Sequence, residues 1–253
     1  MASTITITAI RTTIIMIITM TGTTITTIMT DEEGLYRLAA WTSPSFPTGA
    51  FSYSHGLEWA VEAGRVTNEA EMRGWIEHCL ANGIGRTDGA LLAAGYRAAH
   101  DDSRLDELID LAAAWRATSE TALESAQPGA AFLTTVRAAW PSPALDRFAA
   151  LCGERKPGLA LCFGVAAAES ASLDLSLFFY LSALAAHQVS AGVRLIPLGQ
   201  TAGQRLVAGL ETAVRKAARR AEQDDIEAIG SAAWAIDIAS MKHETQTTRL
   251  FRS

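Results

Sequence analysis

The chain has 253 residues, of which 49% are hydrophobic and 19% charged, with a formal net charge of −6 at neutral pH. That much apolar material can offset the entropy of ordering and excludes a disordered chain, while the acidic balance excludes broad, sequence-independent binding to nucleic acid. Cys79, Cys152 and Cys162 are odd in number, far apart and outside any Cys-x-x-Cys spacing, so they suggest neither a disulfide framework nor a zinc site and fit a reducing cytoplasm.

Residues 1–30 are almost entirely threonine, isoleucine and methionine and share no compositional feature with the rest of the chain. They lack the basic start and compact apolar stretch of a secretory signal, and hydroxyls interrupt them too often for a membrane span. They read as a low-complexity tail, poorly ordered and prone to β-aggregation. The folded body is expected over residues 31–253.

The stretch SPSFPTGAFSYSHGLE, Ser43 to Glu58, breaks the helical pattern. Pro44 and Pro47 fix φ and discourage helix before them, and Gly49 permits a tight turn, so the loop is pre-organised. Phe46, Phe51 and Tyr53 offer large apolar area with few torsions, which suits interface anchors. Phe46 and Phe51 could equally plug the end of a helical bundle, whereas the Tyr53 hydroxyl wants a polar partner, which favours the interface.

Beyond the loop, Met72, Trp75, Ile76, Cys79, Leu80, Gly83 and Ile84 fall on one stripe at helical spacing, with Asn68 as a start signal. A second helix is expected over Ser103–Ala117, with Leu105, Leu108, Ile109, Ala112 and Trp115 inward. Gly83–Gly85, Gln127-Pro128-Gly129 and Pro141-Ser142-Pro143 punctuate the pattern. The stretch Leu173–Leu198 is apolar on most sides, yet His187, Gln188, Arg194 and several serines argue against a membrane span and for the centre of a bundle. Pro197 and Gly199 break it before a long outer helix, on which Arg215, Lys216, Arg219 and Arg220 lie opposite Leu206, Leu210, Val214 and Ala217 as a solvated face. The fold class is all-α, a single helical-bundle domain of about ten helices with a central apolar helix.

Motifs for chemistry are absent. No glycine-rich stretch ends in Gly-Lys-Ser/Thr, and no Gly-x-Gly-x-x-Gly opens a helix after a strand. His243-Glu244 begins like a zinc protease motif but has Thr247 where the second imidazole belongs. His55, His78, His100, His187 and His243 are not spaced as metal ligands, so no metal and no cofactor is expected. One enzymatic alternative stays open: an acid/base pair of His55 and Glu58 in a pocket beneath the proline-rich loop, with Ser52 and Ser54 nearby. A deep pocket with both side chains inward would favour it.

Three ordered segments carry a family likeness. SPSFPTGAFSYSHGLE resembles the signature loop and helix of the UreF family of urease accessory proteins. VSAGVRLIPLGQTAGQ (Val189–Gln204) and DIASMKHETQTTRLFRS (Asp237–Ser253) are similar to two later segments of that family. Across Trp115–Phe132 the likeness thins, because Ser119, Ala122 and Ser125 stand where the family has more basic side chains. The resemblance implies an all-α scaffold without catalysis of its own. It would act in nickel incorporation into the urease apoprotein, bind the accessory protein UreD (UreH in some organisms), and recruit the GTPase UreG as a homodimer within that complex, with no part for nucleic acid or membrane. Ser45, Phe46, Pro47, Gly49, Phe51, Ser52, Tyr53, His55 and Glu58 in the loop, with Lys242, His243, Glu244, Arg249, Leu250 and Phe251 near the other end, are the partner-binding residues it points to. The polar run KHETQTT before Arg249-Leu250-Phe251 is expected to order only on binding.

Overall fold

Short polar caps set several helix starts. Asn68 accepts hydrogen bonds from the backbone N–H groups of Ala70 and Glu71, and Asp101, Thr118 and Ser142 do the same for the helices they precede. The computed structural model describes residues 31–253, and the tail expected over residues 1–30 lies outside them. Eleven α-helices are formed there: α1 (Asp31–Trp41), α2 (Leu57–Glu62), α3 (Glu69–Asn82), α4 (Ile84–Arg97), α5 (Asp102–Ala114), α6 (Ser119–Ala139), α7 (Pro143–Cys152), α8 (Leu159–Ala168), α9 (Leu173–Leu195), α10 (Gln200–Gln223) and α11 (Trp234–His243). The described residues contain no strand.

The expected stripes are the buried ones. Met72, Ile76, Cys79 and Leu80 face inward from α3, and Leu105, Leu108, Ile109 and Ala112 from α5. Leu206, Leu210 and Val214 of α10 are buried, while Arg215, Lys216, Arg219 and Arg220 stand in solvent.

The most completely buried helix is α8, which is shorter than the apolar stretch that the sequence singled out. Every residue from Ala160 to Ala167 is buried, with α8 packed against α4 and α6. Small residues make this possible. A Cβ on Gly164 would lie 2.2 Å from the Leu92 carbonyl oxygen, and one on Gly95 would lie 2.7 Å from a Leu161 methyl, so α4 and α8 approach almost backbone to backbone. Helix α9 packs along α10 and also against α2, α3, α4 and α8, as expected of a central helix. By length and composition it could cross a membrane, and half of its most apolar window is buried against the bundle.

Gln127-Pro128-Gly129 does not end a helix as the sequence suggested. α6 runs through it for 21 residues. Proline removes an intrahelical hydrogen bond at a cost of about 3 kcal/mol. Burial of Pro128, Gly129, Phe132, Leu133 and Val136 offsets that cost. Gly129 serves the packing, since a Cβ there would sit 2.1 Å from the Pro157 carbonyl oxygen on the approach to α8.

Candidate functional site

Two left-handed residues at its end bring the proline-rich loop onto α11. His55 has φ of 55° and Gly56 of 73°, and a Cβ on Gly56 would lie 2.7 Å from the backbone nitrogen of Ser240. Such a φ is uncommon for a residue other than glycine. Here Glu124 of α6 holds it: one carboxylate oxygen accepts the His55 backbone N–H at 3.2 Å and the other meets the His55 Nδ1.

Three carboxylates organise the surroundings. Glu58 of α2 accepts the backbone N–H groups of Leu250 at 2.5 Å and Phe251 at 2.9 Å, and faces His243 Nε2 at 3.0 Å. Glu120 of α6 faces His243 Nδ1 at 2.9 and 3.0 Å and accepts a bond from Arg249 Nη1 at 3.2 Å. Both nitrogens of the fully buried His243 thus meet carboxylates, one from α2 and one from α6. Glu124, the third, also accepts a bond from the Ser253 hydroxyl.

Residues Arg249–Ser253 therefore lie as a strap on the chain's own loop. The Arg252 N–H donates to the Ser52 carbonyl at 2.8 Å, and the Ser54 N–H to the Ser253 carbonyl at 2.6 Å. Phe251 is buried beneath the Arg194 guanidinium, 4.2 Å from the ring centre, and Arg194 also donates to the Phe51 carbonyl at 3.0 Å. The expectation that this segment orders only on a partner is corrected: buried acceptors on α2 and α6 give its backbone N–H groups partners within the same chain.

The expected site residues divide by exposure. Ser45, Pro47, Phe51, Lys242, Glu244, Arg249 and Leu250 are exposed, and Gly49 and Ser52 are half-buried. Phe46 packs against Phe132 and Trp140 as a plug. Tyr53, Glu58, His243 and Phe251 are interior, so Tyr53 is not an exposed anchor; its hydroxyl donates to Gln127 Oε1 at 2.7 Å, and burial raises its pKa.

His55 and Glu58 do not form an acid/base pair. The left-handed turn sends His55 to Glu124, while Glu58 faces His243. A cavity of about 280 Å³ does lie beneath the loop, walled by Trp41, Phe46, Phe132, Phe163 and Tyr180, with His55, Glu124, Asp88 and His187 at its polar end and Glu58 outside it. Asp88 is bound by Arg116 at 2.8 Å and by the Tyr180 hydroxyl at 2.6 Å. Burial pulls the His55 pKa down, but the charge and hydrogen bond of Glu124 outweigh it and leave it raised. Burial pushes Glu124 up, and His55 and Ser253 more than reverse that. His187 is pushed down to about 4 by burial and by the nearby charges of His55 and Arg194. Among the described residues no group of three or more His, Cys, Asp or Glu side chains could hold a metal ion.

Glu120, Glu124 and Gln127, at i, i+4 and i+7, were missed in the sequence. The signal was there as a polar stripe at helical spacing. Trp234, Ile238 and Met241 have the same spacing on α11 and are all exposed.

A family model described as UreF matches residues 66–211. A urease accessory protein UreF from Granulibacter bethesdensis is 47% identical over 232 residues, covering 90% of this chain and 97% of that protein. Proteins of the same name from Rhodopseudomonas palustris (strain HaA2) and from Bradyrhizobium sp. (strain BTAi1) are 46% and 45% identical, each covering 88% of this chain and 95% and 93% of their own lengths.

Proposed function

This chain belongs to the UreF family of urease accessory proteins, and from that premise we propose that it is a non-catalytic adaptor in urease activation. It binds the UreD-type accessory protein and, as a homodimer within that complex, recruits the GTPase UreG, bringing the assembly to the urease apoprotein for nickel incorporation in the cytoplasm. Residues 31–253 are the working unit, so deleting residues 1–30 leaves these associations intact.

One observation carries the reading. Trp234, Ile238 and Met241 on the outward face of α11, Leu250 on the strap and Phe51 on the loop are 74, 51, 49, 63 and 65% exposed. Large apolar side chains left in water on elements locked from behind by buried hydrogen bonds supply contact area at low entropic cost. The polar network underneath fixes their positions.

The test is co-purification of the tagged chain with the UreD-type protein, the GTPase and the urease subunits expressed together. Ile238→Arg and Leu250→Arg should each reduce capture about tenfold or more with melting unchanged, as truncation of an interface anchor does. Undiminished capture by both variants would overturn the reading.

A further inference from the structure

The cavity beneath the loop opens beside Phe51, one of the outward residues just described, and its chemistry is selective. At about 280 Å³ it is near the lower end of the range for small-molecule sites and far larger than the voids of a packed interior. Its mouth is framed by the exposed residues Pro44, Phe51, Ala186 and Ser190.

The charged groups at the polar end are already matched. His55 meets Glu124, and Asp88 is held by Arg116 and Tyr180. A charged guest would enter without a free counter-charge, at the penalty of burying an unpaired ion. A neutral guest meets no such penalty. His187, neutral because its pKa is near 4, is polar without charge; one ring nitrogen bonds the Ala50 backbone and the other is left for a guest.

Trp41 supplies the second observation. It is 4% exposed and lines the cavity, and its indole N–H has no acceptor among the described residues. Buried donors are seldom left unpaired. Edge-on contacts to Phe132, Phe163 and Trp140 at 5.8–5.9 Å between ring centres fix the indole plane. The donor belongs to a residue of the cavity wall and has no partner among the described residues.

We propose that this cavity binds a small, planar, uncharged aromatic carbonyl compound, with its ring against the aromatic walls and its carbonyl oxygen on the Trp41 N–H. Benzamide is the probe, with benzoate and benzylamine as charged controls of similar shape. Titrated into the ¹⁵N-labelled full chain, benzamide should shift one indole cross-peak saturably, with a dissociation constant of about 1 mM or tighter. That peak should be the one missing in Trp41→Phe. Benzoate and benzylamine should bind at least about tenfold more weakly, as expected where a charge must be desolvated. Leu184→Trp and Ala183→Leu both fill the cavity from α9; whichever of them keeps the helical spectrum should lose the benzamide shift. Absence of a saturable shift, equal binding of the charged controls, or a shift that persists in a folded cavity-filled variant would overturn the proposal.

Discussion

The α4–α8 contact and the junction of loop and strap are both buried, and opposite materials hold them. The first is made of glycine, alanine and leucine, with backbones so close that Gly164 and Gly95 admit no side chain. The second is made of Glu58, Glu120, Glu124, His55, His243 and backbone N–H groups, each polar group answered by another. An apolar contact tolerates small shifts in geometry with graded loss. A buried ionic network does not, because removing one member leaves its partners desolvated and unpaired. The difference suits their positions: α8 holds the bundle, and the junction fixes the orientation of the surface that carries Phe51 and Leu250.

That contrast makes ranked predictions. Glu58→Ala strips acceptors from Leu250, Phe251 and His243 at once, and should cost about 3–5 kcal/mol in chemical denaturation. Trypsin should then cut at Arg249 and Arg252 faster than in the parent. Gly164→Ala should cost about 3 kcal/mol, at the upper end for overpacking because its neighbour is the Leu92 backbone and cannot turn aside. It should leave the strap protected. Equal strap exposure in both variants would break the comparison.

The pH dependence is smaller and confined to the junction. His55 is raised above 6.5, so its contribution is present below that pH and is lost as pH rises through its folded value. Glu124 is lowered below 4.5, so its contribution is present above that pH and is lost as pH falls through its folded value. The stability difference between the parent and His55→Gln should be greatest between pH 4.5 and 6.5 and shrink on both sides. His187, lowered to about 4, works the other way, favouring the fold above 6.5 and losing that contribution as pH falls toward 4; His55→Gln removes one of the charges that lower it, so the variant loses less of it. A difference that stays the same from inside that window to well below pH 4.5 and well above pH 6.5 would show that the pair adds nothing. Smallest of all, Ile238→Arg should change stability by no more than about 0.5 kcal/mol, as exposed substitutions do, while reducing partner capture.

Legibility in the sequence divides along the same line. The stripes of α3, α5 and α10 could be read because each is periodic within one helix. The complete burial of α8 could not, because ten uniformly apolar residues carry no periodic signal. Pro128 misled because local propensity disfavours a proline that tertiary burial accommodates. The two ends of the site were both found as segments of family likeness, but their union was invisible. It depends on Glu58 meeting residues about 190 positions away, and on Glu120 and Glu124 being acidic on an inward face, where helical patterning leads one to expect apolar residues.

The central claim is that loop and strap form one folded unit before any partner arrives. Amide hydrogen exchange of the isolated chain tests it directly at two backbone groups, the N–H of Ser54 and the N–H of Arg252. Both should be protected well beyond an unstructured peptide, and both should lose protection together in Glu58→Ala. Exchange of both at the unstructured rate in the parent protein would contradict the account and return the strap to a segment ordered only by its partner.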